Sequence, residues 1–322
     1  MNAEQPPESG RWRRSPIWRA IAAILICWGA VSAARTAARY LPTRTKHTIR
    51  RYIPDYLLSP QALSFSVLPG PARDLVTPAP TGPAIHLLPT HSDELQRWAD
   101  VAGNYYSASF RTAFSYDNSN VSIVFNQGQQ ATLAGQLNAT GLKPNFVYQI
   151  KLLGDFTRDP ENAERIGKIG RWRLPGEGTN YTDTDFAEFA DKHLVEAYVF
   201  FDFFITDAQG NAQRSFALDH SLHVLWNRDR QISDIPLTHC VAHTVDATNP
   251  QVYAVPKQDA TTEYIFAERE AVRYQADVPV QLPVGNYQAF LNLTEESFHS
   301  SDRDGGFWAT VFSQPIEFTI AR

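Results

Sequence analysis

LVEAYVFFDFFITDAQGNAQRSFALDHSLHVLW, residues 194–226, is the stretch that decides the fold. Its two ends, 194–205 and 215–226, are rich in aromatic and aliphatic residues, which favour β-strands. The segment TDAQGN (206–211) between them holds Asp, Gly and Asn, the residue types that tight turns need. We therefore expect two strands joined by a hairpin turn.

The same alternation of apolar and polar residues recurs along the rest of the chain. It predicts further strands at 121–125, 130–137, 146–153, 287–293, 307–312 and 316–320. A short helix is expected at 92–101, where the apolar residues fall at helical spacing. The stretch 154–185 shows no period, which is typical of a long functional loop or of small elements hidden in it. Many short strands with few helices predict a mainly β fold, an antiparallel β-sandwich.

The segment GLKPNFVYQIKL (141–152) resembles the fibronectin type III family at Leu142, Pro144 and Tyr148. In that family a Leu, a Pro and a Tyr that begins a strand form the tyrosine corner of an Ig-like sandwich. Pro283 to Tyr287 repeats the spacing from Pro to Tyr. The resemblance covers about a dozen residues. It implies an Ig-like architecture and, by analogy, a binding or structural role.

The N-terminal region has the pattern of a membrane segment. Residues 1–14 form a basic tail, and residues 15–38 contain 15 consecutive residues without a charge, from Ala20 to Ala34. This apolar centre behind a basic flank predicts a transmembrane signal anchor. A cleaved signal peptide is the alternative, because Val31-Ser32-Ala33 is an acceptable cleavage site. We favour the uncleaved anchor.

Charge and composition divide the remaining chain. Residues 1–51 carry ten Lys/Arg and two Glu, net +8, which leaves 19 basic and 32 acidic residues after them, net −13. Residues 39–91 form a basic and then Pro-rich linker, and 92–322 form the sandwich body, with two sandwiches divided near residue 245 as the alternative. An acidic body argues against a nucleic-acid partner. We expect a single-pass membrane protein with its body outside the cytoplasm.

The histidines of the quoted stretch do not predict a metal site. On a strand over 215–226, His220 and His223 would point to opposite faces of the sheet. On a helix His239 and His243 would face the same way, but prolines bracket this stretch and leave it too short for a helix, so we expect a polar connector with a buried Cys240 thiol.

Two acidic clusters could offer oxygen ligands to calcium. Asp183 and Asp185, and Asp302 and Asp304, lack the spacing of an EF-hand loop with its closing Glu. We therefore expect no metal and no cofactor.

Six residues are candidate binding residues. Arg171, Trp172 and Arg173 lie in the 154–185 stretch, where an exposed Trp between arginines could stack on a sugar or bind an anionic ligand. The alternative is a Trp that fills the rim of the sandwich. Asp202 lies inside an aromatic run and needs a partner when it is buried, for which Arg171 and Arg173 are the conceivable cations. Asp219 and His220 complete the set.

No nucleophile motif, phosphate loop or dinucleotide fingerprint is present in the sequence. The sequence therefore predicts an exported, membrane-anchored β-sandwich protein that binds a protein or carbohydrate ligand or has a structural role, and that is not catalytic. The alternative is an envelope hydrolase or metal-dependent enzyme whose site is built from dispersed Asp and His residues.

Overall fold

The structure is a computed structural model, and its description covers most of the region after the linker. The described residues are 82–91, 97–174, 180–227, 237–270, 279–296 and 308–322. Every described residue lies in the unit Pro71–Arg322. The predicted tail, membrane span and most of the linker lie outside the described residues. Within the described ranges, no helix is long and apolar enough to cross a membrane.

The described part of the chain is mainly β. The strands are β1 Ile85–His86, β2 Leu88–Pro89, β3 Asn120–Phe125, β4 Gln129–Gln130, β5 Ala134–Thr140, β6 Val147–Gly154, β7 Arg171–Arg173, β8 Asn180–Tyr181, β9 Glu196–Ile205, β10 Ala212–Ala217, β11 Leu222–Asn227, β12 Leu237–Val245, β13 Thr261–Arg269, β14 Gly285–Glu296 and β15 Trp308–Ile320. The helices are α1 Ala108–Ala113, α2 Pro160–Ile169 and α3 Asp183–Glu188, with 3-10 turns at Tyr116–Asn118 and Lys192–Leu194.

These strands form two sheets. The small sheet has the order β1-β3-β5-β10, and the large sheet has the order β12-β13-β11-β9-β6-β14-β15-β2. In the large sheet β7 also pairs with β9, β8 with β7, and β4 with β15. All pairs are antiparallel except that of β4 with β15. Strands from before and after residue 245 therefore pair in the same sheet.

The two sheets share a hydrophobic core. Strand β9 is buried on both faces, and its Phe201 ring lies 6.1 Å from the Phe216 ring of the small sheet. The cluster of buried residues draws on both sheets and on Ile166 of α2. Burial of these aromatic rings is the main favourable term in the stability of the body.

The turn at 206–211 forms, but it does not make a hairpin ladder. Asp207 accepts hydrogen bonds from the backbone N–H groups of Gln209 (2.9 Å) and Asn211 (2.8 Å), and Gly210 has φ +79°. The strands that it joins belong to different sheets, because β9 pairs within the large sheet and β10 pairs with β5. The prediction of a hairpin is wrong, since the chain instead arches from one sheet to the other.

The predicted strand at 215–226 is interrupted for the same reason. Residues up to Ala217 belong to the small sheet, and residues from Leu222 onward belong to the large sheet. The connection between them is held by the N–H of Leu218, which donates to Leu133 O (2.8 Å), and by Ser221 O, which accepts from Glu270 N–H (2.9 Å). His220 therefore lies in a crossover and His223 on β11, so their predicted places on one continuous strand are wrong.

The 154–185 stretch holds small elements, which is one of its two predicted forms. It contains α2, which begins with the N-cap Asp159 and has Pro160 in its first turn, a favoured start for a helix. Other segments differ from their predicted form. The expected connector at 239–243 lies within β12. Of the helix expected at 92–101, residues 92–96 lie outside the described residues, and 97–101 contain a β-bridge and a turn.

The two strands predicted at 307–312 and 316–320 form one strand, β15. Pro315 lies inside it opposite Phe290 of β14. On the other edge of β15, the paired residues are Phe312–Ser313 with β2 and Thr319–Ile320 with β4. Pro315 falls between these two pairings. Proline has no backbone N–H, and at this position its absence costs no described hydrogen bond to β2 or β4.

Both tyrosines of the Pro-to-Tyr pattern bond to the backbone a few residues upstream. The Tyr148 hydroxyl accepts a hydrogen bond from the Lys143 N–H at 3.1 Å. The Tyr287 hydroxyl donates to Pro283 O at 2.7 Å. Each bond fixes the chain just before a long strand of the large sheet.

Candidate functional site

The six predicted site residues fall in two places. Arg171, Trp172 and Arg173 form β7 at the margin of the large sheet, next to residues 196–198 of β9. Asp202 lies within β9, and Asp219 and His220 lie in the connection from β10 to β11. The candidate site is therefore two clusters, each with its own chemistry.

Trp172 is fully buried. Its ring stacks on Phe186 at 3.7 Å between centroids, and its indole N–H donates to Asp183 Oδ1 at 2.6 Å. Gly167 of α2 lies so close that an added Cβ would be 2.3 Å from the Trp172 ring. The ring is not exposed for stacking on a ligand, and it fills a second hydrophobic cluster instead.

The calcium candidates next to this cluster have local roles. Asp183 accepts the hydrogen bond from Trp172, and Asp185 forms a capping box with Thr182 at the start of α3. The hydrogen bonds from Thr182 lower the pKa of Asp185. Asp302 and Asp304 lie outside the described residues.

Arg171 and Arg173 are both partly buried on β7, and the alternation of a strand places them on the face opposite to Trp172. Arg171 forms an ion pair with Glu270, whose side chain is 3% exposed. The Arg173 guanidinium lies 3.8 Å from Glu196 Oε2 and 4.0 Å from the centroid of the Trp308 ring.

Trp308 is the aromatic residue that Arg173 does contact. It is partly exposed, and Lys151 Nζ lies 3.7 Å from its ring centroid. The same ammonium group is 5.4 Å from the Tyr198 ring. We call Lys151, Arg173, Tyr198 and Trp308 the tryptophan cluster. Its short cation–ring distances are those of favourable cation–π contacts.

Apart from Arg173, sequence reasoning missed the tryptophan cluster. Lys151 lies on β6 and Trp308 on β15, 157 positions apart in the numbering, and both strands flank β14. Only the strand order of the large sheet brings them together. The available signal was a Lys inside an otherwise apolar strand, since a buried amine needs a partner.

Asp202 pairs with Arg214 of the small sheet, and the expected partners Arg171 and Arg173 are wrong. Arg214 donates from Nη2 to Oδ1 (2.7 Å) and from Nε to Oδ2 (3.1 Å). The Phe203 N–H also donates to Oδ1, at 2.8 Å. Burial raises the pKa of Asp202, although the Arg214 hydrogen bonds and charge oppose this shift.

Asp219 and His220 form a carboxylate–imidazole pair. His220 Nδ1 lies 2.6 Å from Asp219 Oδ1, and both side chains are about a quarter to a third exposed, at 25% for Asp219 and 30% for His220. The charge of Asp219 also contributes to raising the pKa of Asp202, so the two carboxylates lie in one electrostatic cluster. His223 has a different partner, Glu268, at 3.3 Å.

Among the residues that the structure describes, no group of three His, Cys, Asp or Glu side chains is placed to hold a metal ion. A cleft of about 590 Å³ lies between Ile85 of the small sheet and the Asp155–Arg158 loop before α2, over Tyr287 and Phe318. None of the six predicted site residues lines that cleft.

Comparison of the chain with protein-family models, with curated proteins and with solved structures finds no match in any of the three.

Proposed function

We propose that this protein is a membrane-anchored, exported β-sandwich protein that binds a protein or carbohydrate ligand or has a structural role. One observation carries this proposal: the charged residues predicted as site residues are each engaged by another side chain of the body. Arg171 pairs with Glu270, Arg173 with Glu196, and Asp202 with Arg214. Charges held in this way position strands and crossovers, and they favour a binding or structural role over catalysis.

The architecture that we propose is Ig-like. The backbone hydrogen bonds of Tyr148 and Tyr287 support it, because a tyrosine at the start of a strand that bonds upstream is the tyrosine corner of such sandwiches. The two-sheet arrangement with a shared core supports it as well. The resemblance to the fibronectin type III family remains local to a dozen residues.

The membrane anchor is proposed for residues 15–38, with the body outside the cytoplasm. Alkaline extraction of membranes tests it: the wild-type chain is expected in the pellet, and the Ile24→Lys/Ile26→Lys variant in the supernatant. Each lysine near the centre of a span costs about 2.5–3.5 kcal/mol, whereas the control Ile24→Leu costs little. Wild-type protein in the supernatant would refute the anchor, and an N-terminus that starts just after Ala33 would show cleavage.

The ligand is proposed to bind at the tryptophan cluster. A partly exposed Trp308 ring next to the Arg173 guanidinium offers an apolar face with a cation beside it, which suits a sugar or an acidic peptide. An oligosaccharide and peptide array probed with the full chain tests this site. Trp308→Ala is expected to lose the binding, and Tyr105→Ala, which removes an aromatic ring that is 71% exposed elsewhere, is expected to retain it. Equal binding by both variants would show that the ligand does not bind at Trp308.

An envelope hydrolase is the second candidate, and the Asp219–His220 pair favours it. A carboxylate that holds one imidazole nitrogen is the arrangement by which a histidine is oriented as a general base. Turnover of simple ester or glycoside substrates by the wild type, abolished by both His220→Gln and Asp219→Asn, would establish this function. Stoichiometric zinc or calcium in the purified chain would also favour an enzyme over a binding protein.

A further inference from the structure

Lys143 and Glu295 form an ion pair that is enclosed inside the body. Their side chains are 0% and 1% exposed, and Lys143 Nζ lies 2.7 Å from Glu295 Oε1. Lys143 belongs to the connection that enters β6, and Glu295 lies near the end of β14, 152 positions later. The proposed binding function uses neither residue.

Hydrogen bonds hold both the Lys143 amine and the Glu295 carboxylate in place, and aromatic rings surround the pair in place of solvent. Lys143 Nζ donates to Arg97 O at 2.8 Å and lies 4.1 Å from the centroid of the Trp98 ring. The Tyr116 hydroxyl donates to Glu295 Oε1, and the Arg97 backbone N–H donates to Oε2 at 2.9 Å. The amine and the carboxyl group are therefore in contact and fixed in position, which is the arrangement that makes an intramolecular reaction fast.

The enclosed pair has two protonation states with the same number of protons. One is the ammonium–carboxylate pair, and the other is the neutral amine with the carboxylic acid, reached when a proton moves from Nζ to Oε1. Burial lowers the pKa of Lys143, although the charge of Glu295 opposes this shift. The Trp98 ring favours the ammonium form, whereas the low polarity of the site favours the neutral pair relative to water. The neutral amine is a nucleophile.

We propose that Lys143 and Glu295 condense into an intramolecular amide, an isopeptide cross-link between β14 and the connection that enters β6. The Nζ lone pair attacks Glu295 Cδ, the Nζ–Cδ bond forms, and one Cδ–O bond breaks. The departing oxygen leaves as water with one hydrogen from the carboxylic acid and one from the amine. The reaction needs no oxidant, reductant or other reactant.

Two neighbouring groups suit this step. The Arg97 N–H donates to Oε2, where negative charge develops when the carbon becomes tetrahedral. The Tyr116 hydroxyl donates to Oε1, the departing oxygen, and can pass a proton to it and regain one from the amine. Burial and the charge of Glu295 raise the pKa of Tyr116 well above its usual value, so the hydroxyl is protonated before the reaction.

Such a cross-link would stabilise a body that cannot form an internal disulfide. Residues 39–322 contain one cysteine, Cys240, so no disulfide can form within them. A covalent bond between positions 143 and 295 closes a long loop and restricts the unfolded chain as a disulfide would.

Mass spectrometry of the purified full chain tests the proposal. The intact mass is expected to be lower than the sequence mass by one water molecule. A proteolytic digest is expected to contain one linked species that joins the peptide of Lys143 to the peptide of Glu295. The wild-type digest gives a decision even where a variant fails to fold.

Variants separate the amide from other losses of water. Lys143→Arg is expected to have the full sequence mass, and the matched control Lys151→Arg, at a buried lysine within β6, is expected to retain the loss. Tyr116→Phe is expected to form the cross-link more slowly in freshly made protein. The Asp304-Gly305 pair can also lose water, as a cyclic imide, so a loss that persists in Lys143→Arg overturns the proposal. A folded wild-type chain with the full sequence mass overturns it too.

Discussion

The ion pair between Asp202 and Arg214 joins the two sheets, and its removal makes a quantitative prediction. In Arg214→Met the Asp202 carboxylate, 6% exposed, keeps only the Phe203 N–H among its hydrogen bonds described above. Breaking a buried pair on one side costs about 3–5 kcal/mol, because an uncompensated charge stays inside. The Arg214 side chain is 35% exposed, so water can replace part of its contact. We therefore expect a loss of about 3 kcal/mol in the free energy of unfolding.

A second substitution should reverse most of this loss. Asp202→Asn removes the charge and keeps a side-chain oxygen for the Phe203 N–H. In Asp202→Asn/Arg214→Met the loss is expected to fall to about 1 kcal/mol, because a neutral amide needs no counter-charge. The control is Arg158→Met, whose 60% exposed arginine lies 3.6 Å from Asp155 and should contribute less than about 1 kcal/mol.

The pH dependence of Arg214→Met supplies an independent check. The folded-state pKa of Asp202 is raised above 3.8, so the folded protein binds more protons than the unfolded chain between 3.8 and the folded value. Stability from this group is therefore gained as the pH falls through that window. The loss of Arg214 removes the contacts that oppose the shift, so the penalty should be smaller at about pH 5 than at about pH 7.

Urea unfolding of the full chain, followed by tryptophan fluorescence, measures all of these free energies. A loss below about 1 kcal/mol in Arg214→Met would refute the argument that the pair is an enclosed charge. A double variant whose loss equals the sum of the two single losses would refute the coupling.

The other predictions concern histidine, glycine and tryptophan. Burial lowers the pKa of His243 below 6.5, so its contribution to stability is present above that value and is lost as the pH falls through the folded pKa. Between about pH 7.5 and about pH 5.5, the wild type should therefore lose more stability in urea unfolding than His243→Gln does, and equal losses would contradict this reading. Gly210→Ala should cost about 1–3 kcal/mol, because φ is +79° and the new Cβ would lie 2.0 Å from Leu142 O. Gly103→Ala, with φ +80° and open space around it, is the matched control and should cost less. Trp172→Ala should lower the free energy of unfolding by about 3–5 kcal/mol, since the ring is fully buried, and partly exposed Trp308 should cost less when replaced by Ala. A larger loss of stability in Trp308→Ala than in Trp172→Ala would contradict the burial assigned to these two side chains.

The sequence predicted strands well where a local pattern determines them. The predicted strand 121–125 lies within β3, and 287–293 lies within β14. The predicted strand 146–153 begins one residue before β6 and otherwise lies within it. These predictions succeed because alternation of side chains is a property of a few neighbouring residues. The start of α2 is also specified by neighbouring residues, Asp159 and Pro160. The helix was not predicted because the stretch shows no apolar period. The mainly β fold follows from such patterns.

The candidate site was predicted only in part. Asp219 and His220 were predicted as site residues and are in contact, which neighbours in the chain can achieve without tertiary help. The partner of Asp202 was assigned wrongly, because Arg214 becomes a neighbour only when β10 joins the small sheet. Trp308 was missed because its contact with Lys151 depends on strands that are adjacent in the large sheet and far apart in sequence.

The amino-acid order alone therefore determined several of the strands, the turn at 206–211, and which short segments carry charge. Tertiary structure decided which sheet each strand enters, and through that choice it decided whether Trp172 or Trp308 is accessible and which cation neutralises Asp202. The physical reason is the range of the forces involved. Backbone conformation responds to adjacent residues, whereas strand order and the pairing of buried charges depend on the burial of a whole core at once.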